Sequence, residues 1–112
     1  MKKIIGFFVL LFVSSLSFSQ ERAYCAIQGN VFITNNKAMA HFSFYEDETE
    51  GFADMLVFWE DSRVFADQPG LWHLVEAPGL ADFILYREFE PGYADFKVFF
   101  TDTQSFAGCQ HP

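Results

Sequence analysis

Basic side chains are scarce in this chain, which sets seven Lys and Arg against fifteen Asp and Glu for a formal charge of −8. Nucleic-acid binding depends on clustered Lys and Arg that displace counterions from phosphate, so this balance excludes nucleic acid as an expected partner. The same acidity favours solubility and repels anionic surfaces. Histidine is sparser still, with His41, His73 and His111 the three present. No H-x3-H or C-x2-C spacing occurs, so the three or four converging ligands of a zinc site are not in view. Neither a G-x-S-x-G elbow nor a Gly-rich phosphate loop is present. The reading is therefore non-catalytic, with no cofactor implied. Long apolar runs are missing too: the longest, Ile4 to Val13, is half of the roughly 20 residues a membrane-crossing helix needs.

That short run has a different meaning. Lys2 and Lys3 precede it and "SSLSFS" follows, the layout of a cleavable secretory signal over residues 1–19, with the cut expected after Ser19. Residues 20–112 are then one small domain of about 93 residues, exported to the periplasm or beyond, monomeric and without a membrane span. Loss of Lys2 and Lys3 leaves five basic against fifteen acidic side chains, a formal charge of about −10. Cysteine is equally restricted: Cys25 and Cys109 stand near the two ends of that domain. In an oxidising compartment an even pair predicts an intramolecular disulfide joining the ends, the alternatives being free thiols or pairing between molecules.

What the chain has in abundance is repetition. Phe52-Ala53-Asp54 returns as Phe65-Ala66-Asp67, and an Ala recurs at 40, 53, 66, 81, 94 and 107, in steps of 13, 13, 15, 13 and 13. The longer step contains Gln68-Pro69-Gly70, an insertion at a turn. Before each Ala stands a large apolar residue: Met39, Phe52, Phe65, Leu80, Tyr93 and Phe106. This column is expected to point into the core. Further on come Val31, Phe44, Val57, Trp72, Leu85 and Val98, each followed by Phe32, Tyr45, Phe58, His73, Tyr86 or Phe99. His41 and His73 thus fall on repeat columns and are read as structural, while His111 lies in the last two residues.

Each unit alternates a strand with a turn, as in "DMLVFWE" and "DFKVFFT" followed by "DSRV" and "DTQS". Consecutive apolar positions in so short a run fit a strand buried on both faces, and no capped 3.6-residue period is found. Pro-Gly at 69–70, 78–79 and 91–92 predicts turns, with Pro fixing φ and Gly admitting positive φ. The fold class is all-β, six to seven 13-residue strand-turn repeats closed on themselves; from the residues alone, a small barrel, a trefoil and a short solenoid all remain open. In this scheme Ala40, Ala53, Ala66, Ala81, Ala94 and Ala107 mark crowded positions where only a methyl group fits. Asp54, Asp67, Asp82 and Asp95 are expected to bond backbone N–H groups. A ring of these four carboxylates binding Ca²⁺ is the alternative.

Units such as "GFADMLVFWEDSRVFAD" and "GYADFKVFFTDTQSFAG" resemble the septoil-knot family of small bacterial β-repeat proteins, over residues 27–108. The resemblance implies a seven-crossing torus knot of β-strands and carries over no catalytic residues. Departures from the pattern are the 68–70 insertion, with Trp72-His73 for the usual Val-aromatic pair, His41 for Asp and Gly108 for the last Asp. A chain knotted in this way is expected to unfold slowly.

For function, the sequence supports a structural or interaction module with a protein or surface partner. A ligand- or Ca²⁺-binding receptor is the alternative, and a glycosidase using the carboxylates of "EDETE" (46–50) and "REFEPG" (87–92) a remote one. Trp59, Phe89 and Phe100 fall where other repeats are polar, and together would form an apolar binding patch.

Overall fold

The computed structural model describes residues 22–110; the expected signal segment 1–19 and His111 lie outside them. Seven strands follow one another: β1 (Gly29–Thr34), β2 (Phe42–Glu46), β3 (Met55–Trp59), β4 (Leu71–Leu74), β5 (Phe83–Glu88), β6 (Phe96–Phe100) and β7 (Gly108–Cys109). Among the described residues the links contain only single 3-10 turns and no α-helix.

In space the order is β4-β1-β5-β2-β6-β3-β7, and a further β4–β3 pairing closes six of the strands into a barrel. These six are all parallel. The short β7 lies antiparallel on β3, with Met55 opposite Cys109. Apart from β3 and β4, which pair to close the ring, consecutive strands are not neighbours: β5 separates β1 from β2, and β6 separates β2 from β3. The chain circles the barrel once, leaves gaps, and fills them on a second circuit.

Parallel strands require each link to travel back along the outside of the barrel, over the strand that separates its two ends. Extended chain reaches about 3.3 Å per residue and a 3-10 turn about 2 Å, so residues 35–41, with the turn Lys37–Met39 among them, reach about 19 Å and can return past a strand of about 17 Å. Contacts follow this route. The turn Lys37–Met39 packs on β5, Pro78–Leu80 on β1, Pro91–Tyr93 on β2 and Gln104–Phe106 on β3. Side chains pin two of the links to the strands they cross, Lys37 to Glu88 at the end of β5 and Gln104 to Glu60 just past β3. On β1, Asn30 Nδ2 donates to the Leu80 carbonyl at 3.0 Å.

One side chain from each barrel strand builds the central core layer: Val31, Phe44, Val57, Trp72, Leu85 and Val98, none more than 2% exposed. This is a single repeat column, and its members point inward because alternate residues of a strand share a face. Trp72 donates its indole N–H to the Ile27 carbonyl at 3.0 Å. Tyr24, from the 3-10 turn Ala23–Ala26, stacks on Phe96 at 4.5 Å and covers the end of the barrel where β6 begins. The same turn holds Cys25, disulfide-bonded to Cys109 with Cα atoms 5.5 Å apart.

Two expectations are corrected. The large apolar residue before each Ala does not enter the core: Met39, Phe52, Phe65, Leu80, Tyr93 and Phe106 are 43–71% exposed. Each ends a 3-10 turn carried outside the barrel, which turns its side chain to solvent. Of the three Pro-Gly pairs only Gly70 adopts positive φ, at +91°. Pro78 and Pro91 instead open 3-10 turns, where a missing N–H costs nothing and a fixed φ helps.

Gly70 also explains the 15-residue step. A Cβ there would lie 2.4 Å from the Gly108 nitrogen and 2.8 Å from the Leu56 carbonyl oxygen. The terminal strand β7 therefore slots between β3 and the start of β4, in the seventh place around the ring. The insertion lies where the chain closes on itself, and Ala66 bends with it to ψ 61°, against 143° to 150° at the other five Ala positions.

Candidate interaction surface

The aspartate column makes a two-point clamp on the neighbouring strand. Asp82 donates its N–H to the Asn30 carbonyl at 2.8 Å, and Asn30 N–H donates back to Asp82 Oδ2 at 2.9 Å. Asp95 clamps Ser43 in the same way, at 3.0 and 2.8 Å, and Asp54 clamps Lys97, at 2.8 Å for both bonds. His41 replaces the carboxylate with a ring nitrogen: Ile84 N–H donates to Nδ1 at 2.9 Å, which places the imidazole proton on Nε2. Asp67, beside the bent Ala66, makes no such bond among the described residues. Gly29 leaves room for one clamp, since a Cβ there would lie 2.5 Å from Asp82 Oδ2.

The other singled-out residues disperse. Ala53 and Ala66 are buried, while Ala40, Ala81, Ala94 and Ala107 are half-buried at the ends of their 3-10 turns. Asp54, Asp82 and Asp95 serve three different strands, so these carboxylates do not converge as a Ca²⁺ ring would demand. Among the described residues no group of three or more His, Cys, Asp or Glu is placed to hold a metal ion. The two acidic segments meet at one end of the barrel, where Tyr45 of β2 lies opposite Glu88 of β5. Their leading carboxylates are committed to cations: Glu46 to Arg87 at 2.9 Å, and Glu88 to Lys37. The Glu88 hydrogen bond holds the Lys37 ammonium above its ordinary pKa. The Tyr24 hydroxyl does the same for Arg22.

Trp59 and Phe100 stack on each other at 5.2 Å and both meet Trp72 edge-on, so they belong to the partly buried top of the core. Phe89 stands apart after β5, exposed, with the Arg87 guanidinium 5.0 Å from its ring centroid. Beyond Trp59, a shallow cleft of about 310 Å³ is lined by Glu60, Asp61, His73 and Leu74. A larger one, about 410 Å³, opens at the irregular 66–67 segment between Arg63, Asp67, Asp82 and Phe83.

The exposed apolar residues that end the 3-10 turns form an outer belt carried on the links. Links over neighbouring strands carry Tyr93 (over β2), Phe52 (beside β6, through the Asp54–Lys97 clamp) and Phe106 (over β3). With strands about 4.8 Å apart, this places three exposed aromatic rings along one arc.

A barrel wound twice by a single chain, with links such as 35–41 on β5 and 75–82 on β1 lying outside strands of the other circuit, defines a torus-knotted all-β domain. The chain belongs to the 7(1) septoil knot domain family, whose model matches residues 24–110. No curated protein and no solved structure matches it.

Proposed function

We propose that the protein is a non-catalytic exported interaction module that engages a protein partner through the belt of link residues, centred on Phe52, Tyr93 and Phe106. The observation that carries this reading is that Phe52 is 70% exposed, Tyr93 71% and Phe106 57% on turns clamped to a closed barrel. Large apolar side chains held out together on a rigid frame cost solubility, and contiguous apolar patches mark interfaces. They also bind with little loss of conformational entropy, because the 3-10 turns beneath them are already ordered. Export rests on Lys2, Lys3 and the short apolar run that follows, and a disulfide between Cys25 and Cys109 suits that destination. A calcium receptor is disfavoured, since Asp54, Asp82 and Asp95 spend an oxygen on backbone N–H groups.

The test is affinity capture from the exported fraction with the native protein and a Phe52→Ser, Tyr93→Ser, Phe106→Ser variant. Capture of a defined protein that is lost in the variant, at an unchanged melting temperature, supports the reading. Equal capture by both proteins, or none by either, removes it.

A further inference from the structure

The disulfide and the topology together have a consequence that neither has alone. The family match runs from residue 24 to 110, so the knotted domain starts one residue before Cys25 and ends one residue after Cys109. The two cysteines are 84 residues apart in sequence and bonded, Cys25 in the turn that covers one end of the barrel and Cys109 in the terminal strand β7 on the edge of β3. Joining them makes a covalent circle of the whole winding path. A knot in an open chain can be undone by withdrawing an end; a knot in a closed circle cannot be undone without breaking a bond.

We propose that the Cys25–Cys109 bond is a redox-controlled topological lock: oxidation in the folded state fixes the knot permanently in the covalent structure, and only reduction allows it to be untied. The closing step is thiol–disulfide exchange with a donor disulfide such as oxidised glutathione. One cysteine thiolate attacks the donor and releases one glutathione thiol. The second cysteine thiolate then displaces the other glutathione, so that two protein thiols are oxidised, one donor disulfide is reduced, and two protons end on the released thiols. Order matters, because a chain oxidised before folding closes as a plain ring; random closure almost never ties a knot, as the near-absence of knots in folded chains also suggests. Such a ring has the correct disulfide and cannot reach this fold.

Two preparations of the same chain test this. The first is the folded, oxidised protein. The second is assembled by ligating synthetic peptides in denaturant, so that it has never folded, and is oxidised there with glutathione disulfide. Both are placed in denaturant without thiol, remaining thiols are alkylated, and both are diluted into buffer while near-UV circular dichroism follows the Trp59–Trp72 cluster. The first should recover the native signal completely. The second, identical in mass and in its Cys25–Cys109 linkage, should recover none until dithiothreitol is added. Equal recovery of the second without thiol overturns the proposal, and so does failure of the first to refold with its disulfide intact.

Discussion

Replacing Asp82 with Ala removes the carboxylate that accepts the Asn30 N–H at 2.9 Å while leaving the Asp82 backbone half of the clamp in place. Asn30 is 9% exposed, so its amide is left largely without water to take over. A buried donor deprived of its partner costs about 1–3 kcal/mol. Asp82 itself is exposed, which lets solvent approach from its side and puts the cost near 1–2 kcal/mol. For a domain of this size each kcal/mol lowers the melting temperature by about 4–8 °C, so the expected fall is about 5–15 °C. Asp82→Asn keeps an acceptor oxygen in place and should lose less than half as much. Asp54→Ala and Asp95→Ala should behave like Asp82→Ala, since each accepts a strand N–H at 2.8 Å. Asp67→Ala should change stability by less than about 0.5 kcal/mol, as an ordinary surface substitution does. Differential scanning calorimetry of the four Ala variants decides the matter. Because all four occupy one repeat column, equal losses at all four, or a large loss at Asp67, would refute the clamp as the reason for the column.

Ala53→Leu introduces side-chain volume at a fully buried position and should cost about 1–3 kcal/mol by overpacking, read as a lower denaturant midpoint; Ala66→Leu, nearly as buried, should do the same. Gly70→Ala places a methyl group 2.4 Å from the Gly108 nitrogen and should prevent β7 from docking, seen as loss of amide protection at Gly108 and Cys109 in hydrogen exchange. Gly79→Ala and Gly92→Ala meet nothing within 4 Å and have no positive φ to lose, so thermal melts should show neutrality or a gain of about 0.4–1 kcal/mol. Trp72→Ala should cost about 3–5 kcal/mol in urea unfolding, since it empties the centre of the core layer and leaves the Ile27 carbonyl with the Gly70 N–H but without the indole donor.

Much of this architecture was legible in the residues because each repeat solves the same local problem. The core layer is one column, Val31 to Val98, and the disulfide pairs the only two cysteines. His41 departs from the Asp column and yet fills the same acceptor role, its Nδ1 accepting a strand N–H as a carboxylate oxygen would. The belt was misread for a physical reason: apolar character marks burial only on average, and a residue such as Phe52 gives no local sign that its link runs outside the barrel. Spatial neighbours were equally hidden. Asn30 and Asp82 are 52 residues apart, and no feature of either residue specifies the other as its partner. The insertion at Gln68 to Gly70 was visible as irregular spacing, but its purpose depends on Gly108 arriving from the far end of the chain.

The fold rests on the interleaving of the two circuits, which backbone NOEs on isotopically labelled protein read out strand by strand. Parallel cross-strand NOEs are predicted between Phe32 and Ile84 and between Phe44 and Phe96, with none joining β1 to β2 or β2 to β3. Antiparallel NOEs between consecutive strands, as in a chain of hairpins, would contradict the double winding and with it the knot.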